Sequence, residues 1–294
     1  MYSVSKKLSS FAASGIARLF SACAPAAARG FYFWYRSQTV RHPNWVGPIG
    51  WKPTVRLPNG TRFRVPFAEV HGMSVVLEGD YEPELTQRIS EQLRLGDVFI
   101  DVGANMGYFT LLASELVGEE GLVVAFEPSP GNLHWLSYNV SINGLPNVLL
   151  QSTALAEHSA IQRLTVPPIY NNGVSNLRAR QNGEATTPAW VQRFDELPVA
   201  LTQNGRVSLV KIDTEGLEIK VLQGMRTLLA SENPRLAIAC ELSPNWYDVA
   251  ELVALLSDAG FDGEFFHDGQ WMPLKADALP SVQCNAWFQR KTKA

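Results

Sequence analysis

Residues 96–109 read Gly96-Asp-Val-Phe-Ile-Asp-Val-Gly-Ala-Asn-Met-Gly-Tyr-Phe109, which spells a buried strand, a glycine turn and the start of a helix. Val98, Phe99, Ile100 and Val102 form a short apolar run suited to a strand covered on both faces, and Asp101 interrupts it near its end. Gly103 and Gly107 supply the φ freedom and close approach that such a turn requires. From Tyr108 onward, Phe109, Leu111, Leu112, Leu116 and Val117 fall at helical spacing, and Gly118 ends the run. A backbone built this way suits a nucleotide-like ligand.

The dinucleotide fingerprint, with glycines at first, third and sixth positions around a pyrophosphate, is absent. The glycines here are four residues apart with Ala104, Asn105 and Met106 between them, and Asp101 lies two residues before the first. A carboxylate so placed repels a pyrophosphate and suits an amine-bearing ligand. The second strand, Leu122 to Phe126, ends in Glu127, 20 residues after Gly107, where a ribose-binding carboxylate belongs. A ligand with a ribose, an adenine, an amino-acid end and no phosphate is S-adenosyl-L-methionine.

Three segments, GDVFIDVGANMGYFTLLAS from Gly96, VVAFEPSPGNLHWLSYNVSING from Val123 and VSLVKIDTEGLEIKVLQGM from Val207, resemble the FkbM family of S-adenosylmethionine-dependent methyltransferases. The likeness runs from about residue 70 to residue 242, and its DTEGLE block is more specific than the glycine turn. The resemblance implies methyl transfer to a hydroxyl, often on a sugar or a polyketide. It also implies an α/β class I methyltransferase fold, a doubly wound, mostly parallel sheet of seven strands closing on an antiparallel pair. The acceptor expected is a glycan, a saccharide-containing lipid or a related secondary metabolite. The alternative is a noncatalytic cofactor-binding scaffold at a membrane.

Each candidate residue carries a structural alternative. Asp101, inside the cofactor motif of the resembled family, either contacts the ammonium end of the cofactor or its water shell, or caps the turn through backbone N–H groups. Glu127 accepts both ribose hydroxyls, or is exposed before the Pro128 turn. Asn105 is a ligand contact or a turn residue tolerating the left-handed region. Asn132 is a helix cap first and a ligand contact second. Ala154, at the end of the third expected strand, is placed where an adenine ring would lie.

Methyl transfer from a sulfonium aligns an acceptor oxygen behind the methyl group and removes the proton that oxygen carries. Asp213 is the preferred acceptor-side residue, with Glu215 next. Their alternative is capping of the helix beginning near Gly216 and complementing its dipole. Glu241, ending the fifth strand, joins this acidic mouth, and Lys211 alternates with Asp213 on one strand face, where it neutralises an acid or assists the acceptor. These carboxylates have the oxygen chemistry of a Mg²⁺ site but lack a histidine or a ligand spacing, so no metal ligand is assigned.

The overall charge of −3 hides an asymmetry: residues 1–68 carry ten Lys or Arg and no acid, whereas the remaining 226 residues carry fifteen basic and twenty-eight acidic groups. Three domains are expected: a basic arm over 1–45, a β-hairpin and helix lead-in over 46–95, and the catalytic domain over 96–294. The arm has an amphipathic pattern and an aromatic cluster, Phe31 to Tyr35, and three readings: binding an anionic membrane surface through residues 1–35, packing on the protein, or targeting. Arg18, Pro25 and Arg29 stop it from spanning a bilayer. The acidic body argues against nucleic acid as partner. Three scattered cysteines fit a reducing compartment, so a cytoplasmic location is expected.

Further elements are expected as a strand over 148–155, a strand over 207–213, a helix over 217–230, a strand over 236–242, a helix over 246–259, and strands near 261–266 and 286–290. The polar stretch 169–205 reads as a lid or acceptor loop, with Asn172, Ser175 and Asn176 as neutral hydrogen-bonding groups for a hydroxyl-rich acceptor. Trp190 and Trp246 suit either a sugar face or the core. His267, in Phe-Phe-His-Asp-Gly, reads as part of a hairpin turn.

Overall fold

A computed structural model of the chain describes residues 52–66, 72, 74–76, 79–166, 185–198, 206–275 and 279–291. The basic arm over 1–45 and its membrane reading lie outside the described residues, as do Asn172, Ser175 and Asn176. The chain divides into two compact units, Met1–Tyr81 with Pro168–Gly173, and Glu82–Pro167 with Val174–Ala294.

In the first unit, β1 (Thr54–Arg56) and β2 (Arg62–Arg64) pair antiparallel with Val55 opposite Phe63. They form the β-hairpin expected in this lead-in, joined through Asn59-Gly60. Gly60 takes φ 91°, and Asn59 Oδ1 accepts from the Thr61 backbone N–H and hydroxyl at 3.2 and 2.8 Å.

The second unit runs α1 (Pro83–Gln92), β3 (Val98–Val102), α2 (Tyr108–Val117), β4 (Leu122–Phe126), α3 (Pro130–Asn143), β5 (Val148–Gln151), β6 (Ala154–Leu155), β7 (Ala160–Val166), β8 (Ala185–Gln192), a 3₁₀ turn (Phe194–Glu196), β9 (Val207–Ile212), α4 (Glu218–Gln223), α5 (Arg226–Leu229), β10 (Ala237–Leu242), α6 (Val249–Asp258), β11 (Phe261–His267), β12 (Gln270–Pro273) and β13 (Cys284–Arg290). Strands β5, β4, β3, β9 and β10 lie side by side and parallel. Next to β10 comes β13, antiparallel to it and to β11, so the antiparallel pair implied by the family resemblance is there.

Both faces of this sheet are covered, which explains why β3 and β9 are apolar nearly throughout. Val98, Ile100, Val102, Val124, Phe126, Val210, Ile212 and Ile238 face a core built with Val221 and Leu222 of α4, Leu228 of α5, and Leu252 and Leu256 of α6. The opposite face of β3 and β4 packs against α2, and Ala125 packs on Leu136 of α3.

Four expectations change. The sheet has eight strands, because the Asp268-Gly269 turn after His267 returns a short edge strand, β12, with His267 opposite Gln270. Both turn residues have positive φ, 48° and 81°, as a two-residue hairpin demands. The strand expected over 148–155 is two strands: β5 stays in the large sheet, whereas Ala154 and Leu155 turn away to pair parallel with Val191 and Gln192 of β8. The helix expected over 217–230 is broken into α4 and α5 at Gly224, where a β-carbon would stand 2.2 Å from the Ala156 carbonyl oxygen. Within the expected loop 169–205, residues 185–192 are β8, paired antiparallel with β7 in a second sheet of order β6-β8-β7.

Candidate active site

Parallel register brings the chemistry-bearing residues to one edge. Val102 pairs with Phe126 and Ile212, Phe126 with Gln151, and Ile212 with Cys240. The next residues along these strands, Glu127, Gly103, Asp213 and Glu241, therefore form a row at the carboxyl edge, and Asn285 of β13 stands opposite Glu241. Ligands of open α/β sheets bind at this edge.

The glycine turn is a tightly held cradle. Gly103 and Ala104 both donate to the Phe126 carbonyl at 3.0 Å, Asn105 takes a left-handed backbone at φ 51°, and Gly107 leads into α2 at φ 97°. A β-carbon on Gly103 would lie 1.8 Å from the Asp213 carbonyl oxygen, and one on Gly107 would lie 2.5 Å from Leu136 Cδ1. These glycines are thus required by close approach. Asn139 of α3 pins the turn from behind by donating to the Met106 carbonyl at 3.0 Å.

Glu127 is buried, not exposed before the turn. Its Oε2 accepts from the Asn105 N–H at 2.9 Å and its Oε1 from the Ser129 N–H at 2.8 Å. Burial pushes its carboxyl up to about 7 against those bonds and one from the Asn132 side chain. Asn132 lies inside the first turn of α3, whose N-cap is Ser129, so it supports Glu127 and does not cap the helix. Ala154 is buried just past the end of β5, in the small sheet.

Behind the turn lies a buried charge chain. Lys211 Nζ donates to Asp213 Oδ2 at 3.2 Å and to the Gly103 carbonyl at 3.2 Å, and stands 3.8 Å from Asp101 Oδ1. Asp101 Oδ2 accepts from the Thr110 hydroxyl at 2.6 Å, and Asp101 makes no backbone capping bond among those described. Asp101 is 0% exposed, so its neighbours are Lys211 and Thr110 and not solvent. Burial works against charge on Lys211, but Asp213 and Asp101 carry its ammonium above the ordinary lysine range. A lysine so held is a fixed cation, unsuited to accept a proton.

The DTEGLE loop is organised by its last acid. Glu218 is fully buried, and its Oε1 accepts from the Thr214 N–H and hydroxyl, both at 2.9 Å, and from the Gly216 N–H at 3.2 Å. Glu215 sits within this staple with φ 58°. The helix that follows has Leu217 at its N-cap and no side-chain capping bond. Asp213 therefore pairs with Lys211 and leaves the helix uncapped, contrary to its structural alternative.

Two further acids complete the edge. Glu241 accepts from Gln283 Nε2 at 2.5 Å and from Ser243 Oγ at 3.2 Å, and burial together with Asp213 pushes it up to about 8. Glu82, immediately before α1, has a left-handed backbone (φ 45°, ψ 66°) and does not cap that helix with its side chain. Burial and the neighbouring Asp213 push its carboxyl up to about 7, and Asn285 Nδ2 donates to Glu84 Oε1 at 3.1 Å. Next to Pro83 in the sequence, Glu82 signals only a helix start, and Asp213 is far along the chain. Among the described residues no three His, Cys, Asp or Glu are grouped to hold a metal ion, and no helix is long and apolar enough to cross a membrane.

A doubly wound sheet carrying a glycine cradle, an acid at the end of the second strand and an acidic rim beside them is the arrangement of a class I methyltransferase. The profile of the Methyltransferase FkbM domain matches residues 101–262, and the chain belongs to that family of S-adenosylmethionine-dependent methyltransferases. Among curated relatives, hexuronic acid methyltransferase AglP of Haloferax volcanii is 28% identical over 62% of this chain and 71% of its own length. Methyltransferase 1 of Beauveria bassiana is 25% identical over 55% of this chain and 71% of its own. A solved structure of Methyltransferase FkbM from Methylobacillus flagellatus KT superposes with a TM-score of 0.45 at 13% identity, covering 74% of this chain and 52% of that one.

Proposed function

We propose that the enzyme methylates a hydroxyl of a saccharide-containing acceptor, with S-adenosyl-L-methionine held at the Gly103–Gly107 turn and Glu127. The observation that carries this reading is the row at the carboxyl edge. Glu127 lies on one side of Gly103, and Asp213 and Glu241 lie on the other, so donor and acceptor chemistry divide at β3. The residues present fit the cofactor. Glu127, with its two backbone bonds, keeps lone pairs for ribose hydroxyls. When bound, the cofactor supplies an electrophilic methyl group on a sulfonium.

Lys211 acts from beneath the cradle, holding the Gly103 carbonyl and Asp213 in place, with Asp101 3.8 Å from its ammonium. Asp213, Glu215 and Glu241 bound the acceptor side and orient its hydroxyl. A saccharide acceptor is supported by the name of the Haloferax relative and by Trp190. That ring is 50% exposed and stands directly opposite Ile161, itself 71% exposed, across the β7–β8 ladder. An apolar face of this kind suits the C–H side of a sugar ring.

The test is transfer of tritiated methyl from S-adenosylmethionine to fractions of native cells lacking the protein. Label in the saccharide or glycolipid fraction, lost in the Glu127→Ala variant, supports the reading. Label confined to protein or RNA overturns the acceptor class.

A further inference from the structure

The acids at the carboxyl edge differ in what holds them. Asp213 is tied to the Lys211 ammonium at 3.2 Å, and a proton arriving there would leave that buried cation with one partner fewer. Glu218 is fully buried and spent on the loop backbone. Glu241 is half-buried and, among the described residues, is held by neutral donors: Gln283 Nε2 on Oε1 at 2.5 Å and Ser243 Oγ on Oε2 at 3.2 Å. A carboxylate has about four lone-pair sites, so both oxygens keep room for a further donor.

The backbone at Glu241 is fixed independently of its side chain. The Tyr247 hydroxyl donates to the Glu241 carbonyl at 2.6 Å and accepts from the Ser243 N–H at 3.3 Å, which ties the chain leaving β10 back onto the strand end. The ladder sets Glu241 opposite Asn285 of β13, and Cys240, the residue before it, beside Ile212, the residue before Asp213. Glu241 thus stands one strand away from Asp213, with its carboxyl tethered from the start of β13 by Gln283, 42 residues further along the chain.

On the reading that the acceptor is a hydroxyl compound, we propose that Glu241, positioned by Gln283, is the proton acceptor of the methyl transfer. The acceptor oxygen forms the new O–C bond, the C–S bond breaks with its electron pair going to sulfur, and the O–H proton passes to the Glu241 carboxylate. Asp213 stays paired with Lys211 and orients the same hydroxyl. The ionisable groups acting on Glu241 are Asp213 of β9, Glu218 of α4 and Glu82 before α1, with Cys240, Tyr247 and Cys284 around it. Burial and Asp213 carry its carboxyl up to about 8, and the Gln283 bond works the other way. A base of that strength suits a hydroxyl better than an ordinary carboxylate does.

Two measurements on the full chain decide it. In the first, methyl transfer to the labelled cell fraction should fall by about 100-fold or more in Glu241→Gln with cofactor Kd changed less than about twofold, and Glu241→Asp should recover part of it. Wild-type turnover should rise with pH through about 8. That limb should vanish in Glu241→Gln and move upward in Gln283→Leu, a displacement that a merely structural glutamine would not cause. Wild-type turnover in Glu241→Gln removes Glu241 from the role, and an unmoved limb in Gln283→Leu removes Gln283. The second follows the side-chain carboxyl carbons by NMR through a pH titration without acceptor, with Glu241→Gln assigning the signal. A midpoint near 8 that rises in Gln283→Leu and falls in Asp213→Asn is expected. A midpoint in the ordinary glutamate range overturns the proposal whatever the acceptor is. Label appearing outside the saccharide fraction overturns the acceptor class alone, and Glu241 is then judged on the fraction that is labelled.

Discussion

Gly103 faces the Asp213 carbonyl so closely that a β-carbon would stand 1.8 Å from its oxygen, and the Asp213 N–H returns a 3.0 Å bond to Val102. The cofactor turn and the acid loop are therefore one backbone unit. Gly103→Ala adds atoms into backbone and demands φ 79° of an alanine. Overpacking and the left-handed conformation together cost about 2–5 kcal/mol. The variant should unfold at lower denaturant concentration and bind S-adenosylmethionine poorly in calorimetry.

Glu127 carries a proton in the cofactor-free protein below about 7. Its folded pKa is raised above the unfolded value, so its contribution to stability is present below the unfolded pKa and is lost as pH rises through 7. That loss is at most about 3 kcal/mol. Ribose hydroxyls donating to the carboxylate favour its charged form. Cofactor affinity should accordingly weaken as pH falls below 7, and binding should release protons, measured by calorimetry in buffers of different ionisation enthalpy. Glu127→Gln should flatten that pH dependence.

Lys211→Met leaves Asp101 and Asp213 without their shared cation in a buried setting. Breaking such a pair costs about 3–5 kcal/mol. The deficit should shrink as pH falls, because protonation removes the uncompensated charges. Urea unfolding at several pH values would show it, and a constant deficit would contradict the charge chain.

Glu218→Ala removes the acceptor of three hydrogen bonds from Thr214 and Gly216. Each bond to a charged group contributes about 1.5–3 kcal/mol. Amide exchange at Thr214 and Gly216 should accelerate well beyond that elsewhere in the sheet. Glu218→Gln, which keeps an acceptor oxygen, should be milder.

The strand-turn-helix fold around the glycine turn was legible because its signals are local: an apolar strand, two glycines four apart and an acid ending the next strand all fall between Val98 and Glu127. Elements fixed by distant packing were not. β8 contains Pro188 in a polar stretch, which a reading by local pattern assigns to loop. β5 and β6 read as one strand by composition although the polar run Gln151-Ser152-Thr153 separates their apolar residues, and it is there that the chain leaves the large sheet. The break between α4 and α5 depends on the Ala156 carbonyl, far upstream of Gly224. The pairing of Glu84 with Asn285 was unreadable for the same reason: 201 residues separate them, and they meet only in the folded sheet.

The hydrogen bond from Asn285 to Glu84 joins two stretches that both fall outside the span 101–262 shared with the family. The glycine turn and Glu127 lie within that span, whereas Glu84 and Asn285, the latter opposite Glu241, come from segments before and after it. Substitutions in those flanks can therefore reshape the rim beside Glu241 while leaving the glycine turn as it is.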